Sequence, residues 1–279
     1  MERDQPSRSP PAPSRQGARQ ALRSLQAPAH WRRLALVSDL HLGAQAPRTT
    51  AGFLRWLRGE AARADALLLL GDVFETWIGD DLLQQQPADE HHEVCAALAE
   101  LGSRGCFVAV QRGNRDFLLD GAFSRHCGAR LLDDPCLLEL GGQRIVLSHG
   151  DALCIDDHAY MRWRETCRDP AWQARVLAQP LALRRQQAAA AREQSRQAQA
   201  AQQPSDADPA EAKRWMLREG ANWMIHGHTH RPREHWQDGQ LRQVLSDWDL
   251  DDAAASRAQV LWLRPARAWV RVDRETPAT

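Results

Sequence analysis

The sequence predicts an α/β layered fold, and three observations carry that expectation. Short apolar runs recur along the chain, helical patterns separate the early ones, and each run ends in Asp, Asn or His beside Gly or Ser. Apolar runs of four or five residues suit strands covered on both faces, and strands alternating with helices suit an α/β core.

The elements follow in chain order. Residues 1–30 hold Arg, Pro, Ser and Gln without an apolar stretch, and Pro6, Pro10, Pro11 and Pro13 would break a helix. They read as a disordered N-terminal extension, with one domain over 31–279. Leu34–Val37 leads to Ser38-Asp39-Leu40-His41, and Ala66–Leu70 leads to Gly71-Asp72. Phe107–Val110 leads to Gly113-Asn114-Arg115-Asp116, and Ile145–Leu147 to Ser148-His149-Gly150. Trp223–Ile225 leads to His226-Gly227-His228-Thr229-His230. Helices are expected near 50–64, with Phe53, Leu54, Leu57 and Ala61 on one face, and near 89–103, with Val94, Cys95, Leu98 and Leu101. Residues 155–219, rich in Ala, Gln and Arg, read as a helical insertion able to cover the site. Val260–Leu263 and Trp269–Val272 read as a closing hairpin.

Composition narrows the function. With 279 residues, 43% hydrophobic and 26% charged, the chain can bury a sizeable core. A formal net charge of zero gives no reason to expect nucleic acid, and nothing calls for an obligate protein partner. The six cysteines form no CxxC pair, so free thiols are expected rather than structural zinc or disulfides. No apolar run approaches the roughly 20 residues of a membrane span.

The strand ends carry the chemistry. Asp39, His41, Asp72, Asn114, His149, His228 and His230 combine carboxylate, amide oxygen and imidazole, a donor set suited to Mn²⁺, Fe²⁺ or Zn²⁺. Asp39 and His41 are two apart on an extended segment and can face one side, and His228 and His230 repeat the spacing. Singly, each piece has an ordinary reading: a turn aspartate, a helix-capping Asn114, a hydrogen-bonded His149. Together, each after an apolar run, they exceed one ion's needs and suit two ions about 3.5–4 Å apart sharing a carboxylate. Such a pair lowers the pKa of a shared water and polarises a phosphoryl oxygen. Asp72, Asn114, Arg115 and His149 are the candidate catalytic residues. His91 and His92 read as solvated, and His226 as a strand-end support.

The order DxH, GD, GN, H, GHxH resembles the calcineurin-like metallophosphoesterase family over about residues 34–272. The resemblance implies a sandwich of two mixed sheets flanked by helices. It gives one metal Asp39, His41, Asp72 and His230, and the other Asp72, Asn114, His149 and His228, with Asp72 bridging. Arg115 stands where many members have a histidine. The longer stretches Gly113–Leu118, His149–Asp157 and Ile225–Pro232 resemble the branch that cleaves the diphosphate of a lipid-linked UDP-sugar in lipid A biosynthesis. That likeness implies two Mn²⁺, attack by water on the α-phosphorus to release UMP, and a lipid-binding cap. It also implies a peripheral place on the cytoplasmic face of a bacterial inner membrane. Substrate contacts would be Asn114, Arg115, Asp157, Ser195 and His228, with Gln199 and Gln202 where the branch has Asn and Lys. Arg196 or a nearby arginine is expected to replace that lysine.

Residue chemistry agrees with the branch. Arginine is no general acid at neutral pH, but its fork of donors suits a diphosphate, whose phosphate leaving group needs little protonation. Tyr160, Trp163, Trp172 and Leu177 are candidates for an acyl groove, with Arg184 and Arg185 beside it for anionic head groups. The competing readings are a metallophosphoesterase acting on nucleotides or phosphodiesters and a non-enzyme that keeps the same fold as a binding module or scaffold.

Overall fold

The computed structural model describes residues 21–84, 89–201, 205–265 and 270–277. Twelve strands among them form two six-stranded mixed sheets. β2 (Leu34–Val37), β3 (Ala66–Leu70), β4 (Phe107–Gln111) and β5 (Arg130–Leu132) run parallel, and β11 (Val260–Pro265) and β12 (Val270–Glu275) extend that sheet antiparallel. The other sheet orders β1 (Ser24–Gln26), β6 (Cys136–Leu140), β7 (Gln143–Ser148), β8 (Trp223–His226), β10 (Gln240–Val244) and β9 (Arg233–Gln237).

Alternation explains the layers. Leu34, Leu36, Leu68 and Leu70 turn inward onto Leu138, Ile145, Leu147 and Ile225 of the other sheet. Ala35, Val37, Leu67 and Leu69 turn outward onto α1 (Pro47–Arg58), α2 (Glu90–Ser103) and α3 (Gly121–Cys127) through Phe53, Leu57, Leu98 and Phe123. The opposite outer face, with Val146 and Met224, is covered by Ala212, Trp215 and Met216 of α7 (Pro209–Arg218). Strands covered on both faces read as continuous apolar runs.

The structure adjusts several boundaries. Helix α1 starts at Pro47, whose ring suits the first helical position, and stops at Arg58, leaving 60–63 as a 3₁₀ turn. Asp89 caps α2 by accepting from His92 N at 3.1 Å. The expected extension over 1–30 is wrong at its end, where β1 pairs with β6 and buries Leu25; residues 1–20 lie outside the described residues. Trp269 of the expected hairpin also lies outside them. The insertion holds α4 (His158–Cys167), α5 (Pro170–Leu177) and α6 (Leu181–Ala201), while α7 belongs to the sheet's helical layer. All six cysteines are buried and free; burial pushes the Cys167 thiol up to about 11. No helix among the described residues is long and apolar enough to cross a membrane.

Candidate metal centre

Each strand end delivers its polar residue to one place because backbone bonds lash the loops together. Leu40 N and His41 N donate to Asp72 O at 2.9 and 3.0 Å, and Gly227 N donates to His149 O at 2.9 Å. His228 N donates to Asp39 Oδ2 at 2.8 Å, and Arg115 N to Asp72 Oδ1 at 2.8 Å. Asp116 ties two loops, accepting from Gly113 N at 2.7 Å and Val73 N at 2.8 Å. Burial, together with neighbouring Asp72, pushes Asp116 up to about 6.

The backbone there is strained. Asp39, His41, Asp72, His228 and His230 all take positive φ, between 48° and 67°; Asp238, in the turn joining β9 and β10, is the remaining non-glycine so placed among the described residues. Non-glycine residues adopt this region reluctantly, and it gathers at functional sites. Gly113 is needed for space, since a Cβ there would lie 2.1 Å from Asp72 Oδ1.

Among the described residues two groups of side chains can hold ions: Asp39, His41 and His230, and Asp39, Asp72 and His149. Asp72 reaches both sides, with Oδ2 3.9 Å from His41 Nε2 and Oδ1 3.7 Å from His149 Nε2. Asn114 Oδ1 lies 3.0 Å from His149 Nε2. The His228 ring stands edge-on to His149 with centroids 5.0 Å apart.

The donors fit divalent cations. His41 Nδ1 lies 2.7 Å from Glu75 Oε2, and His230 Nδ1 3.1 Å from Asp247 Oδ2. His149 Nδ1 faces Leu70 O at 3.0 Å. Protons held on these Nδ1 atoms leave each Nε2 as a ligand, the usual support for a metal-bound histidine. The Nε2 atoms of His41 and His230 face each other at 3.3 Å, an arrangement satisfied by a proton in the metal-free protein and by a cation held between them. Asp39 Oδ1 is buried without a hydrogen-bond partner, a further open acceptor. Burial opposes charge on His149, yet Asp72 and Asp39 outweigh it and lift its pKa to about 9. His230 rises against burial to about 10 through Asp247 and Asp39. Burial and then His149 push His228 down to about 4, leaving it neutral for ligation.

The remaining candidates are placed unevenly. Arg115 makes no ion pair with Asp116; its Nε is buried without a partner, and its charge helps hold Glu75 ionised. Asp157 caps α4, accepting from Tyr160 N at 2.9 Å. Ser195 is half-buried on α6; Gln199 lies in the same helix, and Gln202 is outside the described residues. Arg196 pairs with Glu193 on the exposed side of α6, while Arg192 pairs with Glu75, which also holds His41.

Corrections fall mostly in the insertion. Tyr160 is no simple groove residue, because its hydroxyl donates to Asp151 at 2.5 Å and its ring stacks on His228 at 6.0 Å. Arg184 is buried against Asp81 and Ile78 O, so it is not free for head groups, whereas Arg185 is exposed. His91 and His92 are not solvated: His91 stacks on Phe74, and His92 bonds Asp89 and Leu83 O. Trp163, Trp172 and Phe117 do form an aromatic cluster, with the Trp163 and Trp172 centroids 5.3 Å apart, and Trp163 and Leu177 are exposed. His226 supports the strand end, taking up Gly227 O at 2.9 Å; burial first, then Arg242, hold its pKa down near 3.

Sequence reasoning missed Glu75 and Asp247 as partners of His41 and His230. Asp247 had a readable signal: Val244-Leu245-Ser246-Asp247 repeats the apolar-run-then-Ser-Asp form of Leu36-Val37-Ser38-Asp39.

The sheets, strand-end loops and divalent-cation donors define a metallophosphoesterase, and a model of the calcineurin-like phosphoesterase family matches residues 32–232; the chain belongs to that family. Its relatives include the UDP-2,3-diacylglucosamine hydrolase of Chromohalobacter salexigens, 45% identical over 87% of this chain and 94% of that protein. Proteins of the same name from Stenotrophomonas maltophilia and Escherichia coli are 46% and 42% identical, each over 76% of this chain and 89% of theirs.

Proposed function

We propose that the chain hydrolyses the diphosphate of UDP-2,3-diacylglucosamine in lipid A biosynthesis. Water attacks the α-phosphorus, so UMP carries the new oxygen and 2,3-diacylglucosamine 1-phosphate leaves. The observation that carries this reading is a metallophosphoesterase centre whose Asp72 is bonded by Arg115 N, beside a cluster in which Phe117 packs with Trp163 and Trp172 of the insertion and Trp163 is exposed. The names of the relatives support the substrate.

Asp39, His41, Asp72 and His230 would hold one ion, and Asp72, Asn114, His149 and His228 the other. Asp72 would be shared by the two, a role supported by its oxygens lying toward His41 and His149. Two Mn²⁺ would supply an activated water and polarise the phosphoryl group. Arg115 binds diphosphate oxygens with the fork whose Nε has no protein partner. The leaving phosphate departs without a protein acid. Arg192, rather than Arg196, is the α6 cation directed at the centre, held ready by Glu75. Ser195, Gln199, Gln202 and Asp157 would position the sugar and phosphate, Asp157 chiefly through the α4 cap. Trp163, Trp172 and Leu177 receive acyl chains, and the enzyme meets the cytoplasmic face of the inner membrane peripherally.

The test is an assay of metal-stripped protein on UDP-2,3-diacylglucosamine, with and without Mn²⁺, following UMP. The expected result is metal-dependent UMP release that Asp72→Ala abolishes. Hydrolysis of a simple aryl phosphodiester without UMP release from the lipid would overturn the substrate and leave the metal chemistry.

A further inference from the structure

A second basic groove lies at the edge of the sheet that carries β8. The β9–β10 hairpin forms that edge, and between it and α7 is a groove of about 310 Å³, lined in part by Lys213, Arg233, His235, Trp236 and Arg242. His235 pairs across the hairpin with Arg242, and Arg233 with Val244, so Arg233, His235 and Arg242 share one face of the sheet. Glu234 comes from the other face of β9, opposite Gln243. Lys213 at the rim is engaged by Asp238 at 2.6 Å.

Arg242 is the unusual member. It is 6% exposed, and its hydrogen bond goes from Nη1 to His226 Nε2 at 3.1 Å. A ring nitrogen that accepts from a guanidinium carries no proton, so this partner is neutral. Among the described residues no carboxylate lies within ion-pair distance of Arg242, and Asp206, whose field reaches it, is itself paired with Arg231 at 3.2 Å. A buried cation without an anion is costly, and proteins rarely keep one unless something pairs with it. Burial pushes Arg242 down from its ordinary pKa, and burial with the Arg242 and Arg233 charges pushes His235 down. The His235 shift marks cations crowded together, whereas the Arg242 shift marks burial, which the Asp206 charge opposes.

We propose that this groove is a second anion site, for a phosphate-type ligand, with Arg242 at its floor and Arg233 and His235 along its wall. The guanidinium fork matches phosphate oxygens in pairs. Trp236 pairs across the hairpin with Leu241 and so belongs with Glu234 to the opposite face, which leaves the phosphate group itself as the part of the ligand this face recognises. The site is independent of the reaction proposed above.

Hydrogen–deuterium exchange on the metal-loaded full chain separates this groove from the metal centre. Inorganic phosphate and UMP are titrated in separate arms. Saturable protection is expected over α7 and over the β9–β10 hairpin, apart from any protection of the loops at Asp72, Asn114 and His228. Arg233→Gln, an exposed position outside the metal centre, is expected to raise the midpoint at the hairpin about tenfold, the effect of losing one charge-assisted bond. Arg242→Met is expected to abolish protection there; should it fail to fold, Arg233→Gln decides alone. Trp236→Ala, on the opposite face of β9, is expected to leave both midpoints unchanged, and a loss of protection in that variant would overturn the placement on the Arg242 face. Protection confined to the metal-centre loops, or an unchanged midpoint in Arg233→Gln, would overturn the proposal.

Discussion

The metal centre and the insertion helices are built on opposite plans. Asp39, Asp72 and His149 are almost wholly buried, and the loops that carry them are cross-bonded backbone to backbone. Helix α5 buries no residue, and the insertion leaves Trp163, Leu177 and Leu183 exposed. The insertion is tied down at its inner turns, by Arg164 and Tyr160 on Asp151, by Arg168 on Gly113 O at 3.1 Å, by Arg184 on Asp81 and by Arg192 on Glu75. Groups that act on a reacting atom need fixed positions, whereas a groove for flexible chains gains from apolar surface that can repack. The two regions therefore should fail differently under mutation.

The largest effect belongs to the centre. Asp72→Ala is expected to lower turnover by at least about a thousandfold, since it removes the group proposed to be shared by both ions. Metal content by mass spectrometry should fall with it, and retained content would break the bridging assignment. Gly113→Ala comes next: a Cβ 2.1 Å from Asp72 Oδ1 forces that carboxylate aside. Overpacking there should cost about 1–3 kcal/mol of stability, together with most activity. Glu75→Gln keeps the shape and weakens the support of His41; metal affinity by chelator competition should drop about 10–100-fold. Trp163→Ala belongs to the other plan, with KM rising about tenfold, turnover nearly constant and melting temperature unmoved. If turnover fell instead, the contrast between the regions would be false.

Acidity offers the smallest and most diagnostic contrast. In the metal-free protein His149 is lifted to about 9 and His230 to about 10, above the ordinary 6.5. Groups raised in this way stabilise the fold fully below pH 6.5, and that contribution is lost as pH rises through 9 to 10. Metal binding requires those rings deprotonated and removes the slope. Melting curves across that window should decline for stripped protein and stay flatter for loaded protein; parallel curves would argue against ligation by these histidines.

The same contrast governs what the sequence disclosed. Strands β2, β3, β4, β7 and β8 were legible because double burial writes continuous apolar runs, and the polar residues that gather at the candidate centre stood out because each follows such a run. β1 was missed because a three-residue edge strand, Ser24–Gln26, carries no period and gains its order from β6. The insertion read correctly as helix but poorly as surface. Composition could not tell that Arg184 turns inward to Asp81, or that the Tyr160 hydroxyl is held by Asp151. Glu75 and Asp247 escaped because a carboxylate that orients a histidine needs no fixed spacing from it.

The left-handed backbone at Asp39, His41, Asp72, His228 and His230 bears on how this protein would respond to laboratory evolution. Glycine adopts that conformation without the Cβ penalty, but at Asp39 and Asp72 it would strip carboxylates that accept from His228 N and Arg115 N, and at His41 and His230 rings paired with Glu75 and Asp247. His228, neutral and without an ion pair among the described residues, is therefore the position where a screen for heat resistance alone would admit glycine and lose a proposed metal donor. Screening must keep activity in the loop at that codon.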